Sequence, residues 1–276
     1  MGVNTGNPST IYFASFLGNN AFEFYRQVVA YLAEVVGIPA ELVTHQSSDE
    51  QDQRVDTGKI HAVFTCGLPY VRKADQQPSL LRLIAAPVLA SERYWNRPVY
   101  FSDIIVRADS PYQNFEDLRG AVFAYNETSS FSGYMFPCYH LYRLGERKAF
   151  FIETICSGSH AISLDWVENG RVDAAAIDSV VLDMELAQHP NRSQKLRVVE
   201  SIGPAPMPPV AASTGLAEDL RYRLKDALLD MHATTSGQKV LELGGVQRFV
   251  PVMDSDYNSI RQIIRTLQKA GITELR

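Results

Sequence analysis

Short apolar runs alternate along this chain with segments whose apolar residues fall three or four apart, and that alternation leaves few folds open. Ile11-Tyr12-Phe13-Ala14 reads as a buried strand. Residues 21–36 follow as a helix with Phe24, Val28, Leu32, Val35 and Val36 on one face. Gly37 sits where a left-handed cap belongs, and Pro39 forbids continuation. Residues 41–44 form a second short strand, and Ser48-Asp49-Glu50-Gln51 opens a polar helix that Gly58 ends. Residues 61–65 make a third strand, with Gly67 and Pro69 turning the chain tightly into a helix, and residues 80–89 a fourth. The order β-α-β-α-β-α-β predicts a mostly parallel sheet covered on both faces.

A second series follows. Residues 98–107 form a long strand, 108–111 a turn, 115–120 a short helix and 121–125 another strand. Residues 150–155 and 172–178 read as strands, 159–169 and 179–188 as helices, and 196–200 as the last strand of the series. Gly203-Pro204-Ala205-Pro206-Met207-Pro208-Pro209 is the densest Pro/Gly tract and reads as a connection without regular structure. Residues 210–213 give one more strand, and the remainder reads as helical over 217–232, 237–243 and 256–270. The expected architecture is α/β with two lobes, each a mostly parallel sheet flanked by helices. Residues 1–103 with 209–276 form lobe 1, residues 106–204 form lobe 2, and hinge strands near 100–107 and 203–212 make two crossings. A ligand cleft is expected between the lobes.

Composition narrows the function. Hydrophobic residues are 46% and charged ones 21% of the 276, as a packed globular chain requires. A net charge of −5 and the lack of any Lys/Arg block exclude a nucleic-acid surface. A single helix start can still hold a small anion. Cys66, Cys138 and Cys156 show neither zinc-ligand spacing nor a disulfide framework. No metal, no cofactor and a monomer are expected. No apolar run suits a membrane span, and the opening residues lack signal-peptide features, so the chain is expected to be periplasmic or otherwise extracytoplasmic with its leader removed, or else cytosolic.

The stretch Asn126-Glu127-Thr128-Ser129-Ser130-Phe131-Ser132-Gly133-Tyr134 lies between a strand and an aromatic-rich helix. Hydroxyls at a helix start serve either as an N-cap or, with the free N–H groups and the dipole, as an anion site. His160 is either a ligand donor or a locally bonded helix residue. Asp178 caps the helix starting at Ser179, forms a salt bridge, or faces the cleft and binds an ammonium group. Tyr70 lines the pocket or packs inside. The aromatics Tyr134, Phe136, Tyr139 and Tyr142 read as helix packing, and Trp95 as a loop residue at the cleft rim.

Several segments, taken together and in order, resemble one family. They are Gly-Lys-Ile-His-Ala-Val-Phe-Thr-Cys-Gly-Leu-Pro-Tyr (58–70), Pro-Val-Tyr-Phe-Ser-Asp-Ile-Ile-Val-Arg (98–107), Ser-Ser-Phe-Ser-Gly-Tyr (129–134), Gly-Ser-His (158–160) and Val-Asp-Ala-Ala-Ala-Ile-Asp-Ser (172–179). They are similar to the phosphate/phosphite/phosphonate-binding proteins of ABC transporters, which have the type II periplasmic binding protein fold. The resemblance implies a solute-binding protein that traps a small phosphonate- or phosphate-like anion between its lobes and delivers it to a transporter permease. It makes Ser129, Ser130 and Ser132 the oxyanion turn and His160 a further donor. It places Tyr70 as a first-lobe aromatic and Tyr100 as either a cleft or a hinge residue. Phe131 departs from the family, standing where a threonine is expected. Its ring either enters the pocket, favouring a carboxylate, a sulfonate or a ligand with an apolar part, or points into the core. Two other readings use the same fold: a cytosolic enzyme, for which His160 and Asp178 are the one acid/base pair available, and a ligand-sensing module.

Overall fold

The computed structural model describes residues 8–44, 48–146 and 148–276. The chain divides into two compact units, one built from residues through Val99 with Pro206–Tyr257, the other from Tyr100–Ala205 with Asn258–Arg276. It therefore passes between units three times, not twice.

The first unit starts with β1 (Ile11–Ser15), α1 (Phe22–Val36), β2 (Ala40–Leu42), α2 (Ser48–Asp56), β3 (Ala62–Phe64), α3 (Gly67–Ala74) and β4 (Leu81–Leu89). Val28 and Leu32 of α1 are fully buried, each worth about 1.5–3 kcal/mol of transfer free energy. Val35, assigned to the same face from its spacing, is exposed instead. The helix ends where Gly37 takes φ 71°, the left-handed cap its position suggested. Ring pairs join the layers, Phe13 stacked on Phe64 at 5.9 Å and Tyr25 tilted against Phe64 at 4.3 Å between centroids.

The second unit comprises β5 (Val99–Arg107, from Tyr100 onward), β6 (Val122–Tyr125), α4 (Phe136–Arg143), β7 (Glu153–Cys156), α5 (His160–Glu168), β8 (Ala174–Asp178), α6 (Ser179–Gln188) and β9 (Leu196–Pro206). The strand order is β7-β6-β8-β5-β9. β6 is parallel to both β7 and β8, whereas β5 runs antiparallel to β8. Ala174, Ala175 and Ala176 of β8 have no exposed surface, and these small side chains let α5 and the turn before α4 approach the sheet. Leu164, Val167, Ile177 and Leu182 belong to the core beneath them. The expected strand at 150–155 is shifted, because Phe150 and Phe151 turn into an aromatic cluster with Phe115 and Phe123 before β7 begins.

β9 continues straight through Gly203 and Pro204, correcting the expectation of an irregular connection there. It is the terminal strand of its sheet, where a proline's missing N–H costs no ladder bond. The chain then returns to the first unit as β10 (Val210–Ser213), α7 (Glu218–Leu229), α8 (Thr235–Leu243) and β11 (Val246–Val250). β10 inserts antiparallel between β3 and β4, and β11 pairs antiparallel with β4, giving the order β11-β4-β10-β3-β1-β2. The sheet is thus mixed. β11 falls where only helix and loop were expected, because its run is short, bulged and half exposed.

The last helix, α9 (Asn258–Lys269), corrects the assignment of residues 209–276 to lobe 1: residues 209–257 lie in the first unit, but 258–276 belong to the second. Ile260, Ile263 and Leu267 form a buried stripe, and the helix packs on α4. Beyond it Leu275 is held at both ends: Thr154 Oγ1 donates to its carbonyl at 3.0 Å, and its N–H donates to Tyr134 Oη at 3.2 Å. Amphipathic spacing identifies such a stripe but not the surface that receives it. Among the described residues no helix is long and apolar enough to cross a membrane.

Candidate functional site: the serine turn of the second unit

β6 ends at Tyr125, and the chain turns through Ser130 into a π-helical turn, Phe131–Met135, that runs on into α4. Ser130 takes the extended conformation of an N-cap, and its Oγ accepts from Gly133 N at 3.0 Å. The capping role and the anion role are compatible, since the same hydroxyl keeps its proton to donate. The widened turn leaves the N–H groups of Phe131 and Ser132 at a helix start, where no intrahelical acceptor exists. Ser132 has no exposed surface; its carbonyl accepts from Ser102 Oγ of β5 at 2.7 Å, and its own Oγ has no partner. Ser129 is half-buried on the approach to the turn.

The loop before α5 is tied to the same strand end. Ser157 N donates to the Tyr125 carbonyl at 2.8 Å and Gly158 N to the Asn126 carbonyl at 2.9 Å. Ser159 caps α5 by accepting from Ile162 N, and Ser157 Oγ lies 2.6 Å from Ser163 Oγ. His160 is held against the serine turn by this loop. Its ring donates to the Ala176 carbonyl of β8, Nδ1 has no partner, and burial pushes its pKa down to about 4. A Cβ at Gly133 would lie 1.8 Å from Asn126 Oδ1 and 3.1 Å from His160 Cε1, so three segments converge on this one glycine. Asn126 Oδ1 is itself buried without a partner. Asn126 and Gly133 stand in the stretch read from the sequence as the candidate turn, but were given no role of their own. The signal available was their position, one following the strand and one closing the turn.

The remaining candidates are placed as follows. Phe131 is 1% exposed, with its ring 4.8 Å from that of Phe136, so the side chain in the threonine position lies among core aromatics. Asp178 Oδ1 accepts from Val180 N at 2.8 Å and caps α6. Burial pushes its pKa up to about 7 against the opposing effect of the Val180 and Val181 N–H groups, with Asp103 and Asp183 raising it further. Asp178 is thus committed to a backbone partner, and His160 commits one ring nitrogen and leaves the other open. Tyr100 is fully buried on β5.

Tyr70 belongs to the first unit, on α3. Its hydroxyl donates to Asp254 Oδ1 at 2.7 Å, and its ring lies 4.9 Å from Tyr257, whose hydroxyl donates to the Met207 carbonyl at 2.9 Å. Tyr70→Phe is expected to lower stability by about 1 kcal/mol in urea denaturation, the worth of one hydrogen bond to a solvated carboxylate. A loss of ligand affinity at unchanged stability would instead mark the hydroxyl as a ligand group.

Two α/β units, one with a hydroxyl-lined helix start at the end of a strand, define the type II periplasmic binding protein class. The chain belongs to the family described as periplasmic phosphonate substrate-binding proteins of ABC transporters, whose profile matches residues 12–257. It is 25% identical over 179 residues to the "Phosphonates-binding periplasmic protein" of Escherichia coli K12, covering 63% of this chain and 53% of that relative. It thus spans about half the length of that protein. With the "Probable ABC transporter phosphite binding protein PhnD1" of Prochlorococcus marinus it shares 24% identity over 225 residues, 77% of this chain and 73% of the other. The solved structure of that PhnD1 in complex with methylphosphonate superimposes with a TM-score of 0.82 at 19% identity, covering 95% of this chain and 100% of the other.

Proposed function

We propose that this chain captures a small phosphorus oxyanion of the phosphonate class at the Ser130–Ser132 turn and delivers it, unchanged, to the permease of an ABC importer outside the cytoplasm. The observation that carries this reading is the gathering of unpartnered buried polar atoms around Gly133: Ser132 Oγ, Asn126 Oδ1 and His160 Nδ1. Buried polar groups are nearly always paired, so a cluster of unpaired ones at a helix start marks a place for a ligand. Family membership supplies the ligand class and the transporter partner. Binding without turnover is favoured over catalysis because Asp178, the acid/base partner that His160 would need, turns its carboxylate to Val180 N as the cap of α6. We take the working form to be a monomer.

A thermal-shift series with methylphosphonate, phosphite, phosphate, methanesulfonate and amino acids tests this. A phosphorus oxyanion is expected to raise the melting temperature, and Ser132→Ala to weaken its binding by about 1.5–3 kcal/mol, the worth of a hydrogen bond to a charged group, with little change in ligand-free stability. If no oxyanion in the series shifts the transition, the turn is only a helix cap. Mass spectrometry of the recovered ligand would expose turnover.

A further inference from the structure

The groups around Gly133 include acceptors as well as donors. His160 is 9% exposed, and its ring donates to the Ala176 carbonyl while Nδ1 stays unpartnered. An imidazole that carries its proton on Nε2 presents a lone pair, and no hydrogen, at Nδ1. Asn126 Oδ1 is a second buried, unpartnered acceptor, and it crowds the same glycine as His160 Cε1. A fully deprotonated oxyanion would set negative oxygens against both lone pairs. An oxyanion that keeps one hydrogen would place its other oxygens on the turn's N–H and hydroxyl donors and its O–H on an acceptor.

We infer that the site takes a phosphorus oxyanion still carrying a proton, with His160 Nδ1 accepting the hydrogen bond from its P–OH, so that His160 selects phosphonates over sulfonates of the same shape. This rests on the serine turn being the ligand site. Among the described residues, no charged side chain shifts the pKa of the His160 ring, which is set by burial and the Ala176 backbone bond. Gly133 from the π-helical turn and Ala176 from β8 lie against it, and Asn126 crowds the same glycine, all three neutral. Asp178, two residues further along β8, turns its carboxylate to the N–H groups of α6, and Asp165 on α5 pairs with Arg192. Burial keeps the imidazole neutral over the range in which a phosphonate loses its second proton. A sulfonate has no second proton to offer, so the lone pair would face an anion.

The sign of the pH effect follows from the proton count. Below the ligand's second ionisation the monoanion binds with no proton exchange, and affinity is flat. Above it, binding must take up one proton, and affinity falls about tenfold per pH unit. Calorimetric titration of the full chain with methylphosphonate across that ionisation should show this break, with methanesulfonate at least about a hundredfold weaker on the neutral side. In His160→Asn, whose amide can donate or accept, the preference over methanesulfonate should shrink at least about tenfold. Side-chain nitrogen NMR of the ligand-free protein should report a neutral His160 with its proton on Nε2, and the complex should keep that form. Methylphosphonate binding that is flat through the ionisation, methanesulfonate binding of equal strength, or a proton on Nδ1 in either state would overturn the inference and leave the capture role standing. Absence of any phosphorus-oxyanion binding would remove both.

Discussion

Gly133→Ala is expected to remove oxyanion binding and to destabilise the second unit by about 1–3 kcal/mol, the usual cost of forcing one extra carbon into a filled site. The new Cβ would stand 1.8 Å from Asn126 Oδ1 and 3.1 Å from His160 Cε1, so neither neighbour could stay in place. The Asn126 main chain is held, because its carbonyl accepts from Gly158 N at 2.9 Å and from Cys156 Sγ at 3.2 Å, so the side chain must rotate away instead. That rotation removes Oδ1 from the site, and His160 must also give by a few tenths of an ångström. Chemical denaturation gives the stability change, and a thermal-shift titration with methylphosphonate gives the binding loss. Asn126→Ala in the same background should recover part of the stability, since the clash is with that side chain, without restoring affinity. A Gly133→Ala protein that binds methylphosphonate with wild-type affinity would show that the convergence on this glycine has no part in ligand capture.

Asp178→Asn is expected to stabilise the protein above neutral pH. The folded-state pKa of Asp178 is pushed up from the ordinary 3.8 to about 7, chiefly by burial. The folded chain therefore binds more protons than the unfolded chain between those two values. Stability attributable to this residue is fully present below the lower value and is lost as pH rises through the window toward the upper one. At about 1.4 kcal/mol per pKa unit over about three units, the loss in alkaline solution is on the order of 4 kcal/mol. Asparagine keeps the side-chain oxygen that accepts from Val180 N and is as good an N-cap, but carries no charge to bury. Urea denaturation across the pH range should show the wild-type decline between the two pKa values and a flatter curve in the variant. Parallel curves would mean that Asp178 titrates normally in the folded protein.

Much of the local structure was legible from residue order. The periodicity of α1, the cap at Gly37, the tight turn at Gly67 and the small-residue strand before Ser179 all follow from sterics and amphipathic spacing, and they stand in the structure. What failed was long-range. β10 was expected as a strand of the first unit and stands there, but β11 was not, and only pairing with β4 makes a strand of Val246–Val250. α9 has a clear apolar stripe, yet nothing in its own residues says that α4 receives it. Phe131 illustrates the same limit within the site. Its replacement of a threonine raised the question of an apolar pocket wall, and the neighbouring Phe136 ring, one helical turn on, answers where the side chain goes.

The sequence by itself determined the two α/β series, the hydroxyl-rich helix start and the family, because strand and helix periods, turn residues and cap chemistry act over a few positions. Only the tertiary structure decided that Asn126, Gly133 and His160 meet, and that His160 gives its N–H to Ala176 and keeps a bare Nδ1. Those relations join residues from β6, the π-helical turn, α5 and β8. Their physical origin is the packing of small-residue strands that lets the segments approach, which no local pattern encodes.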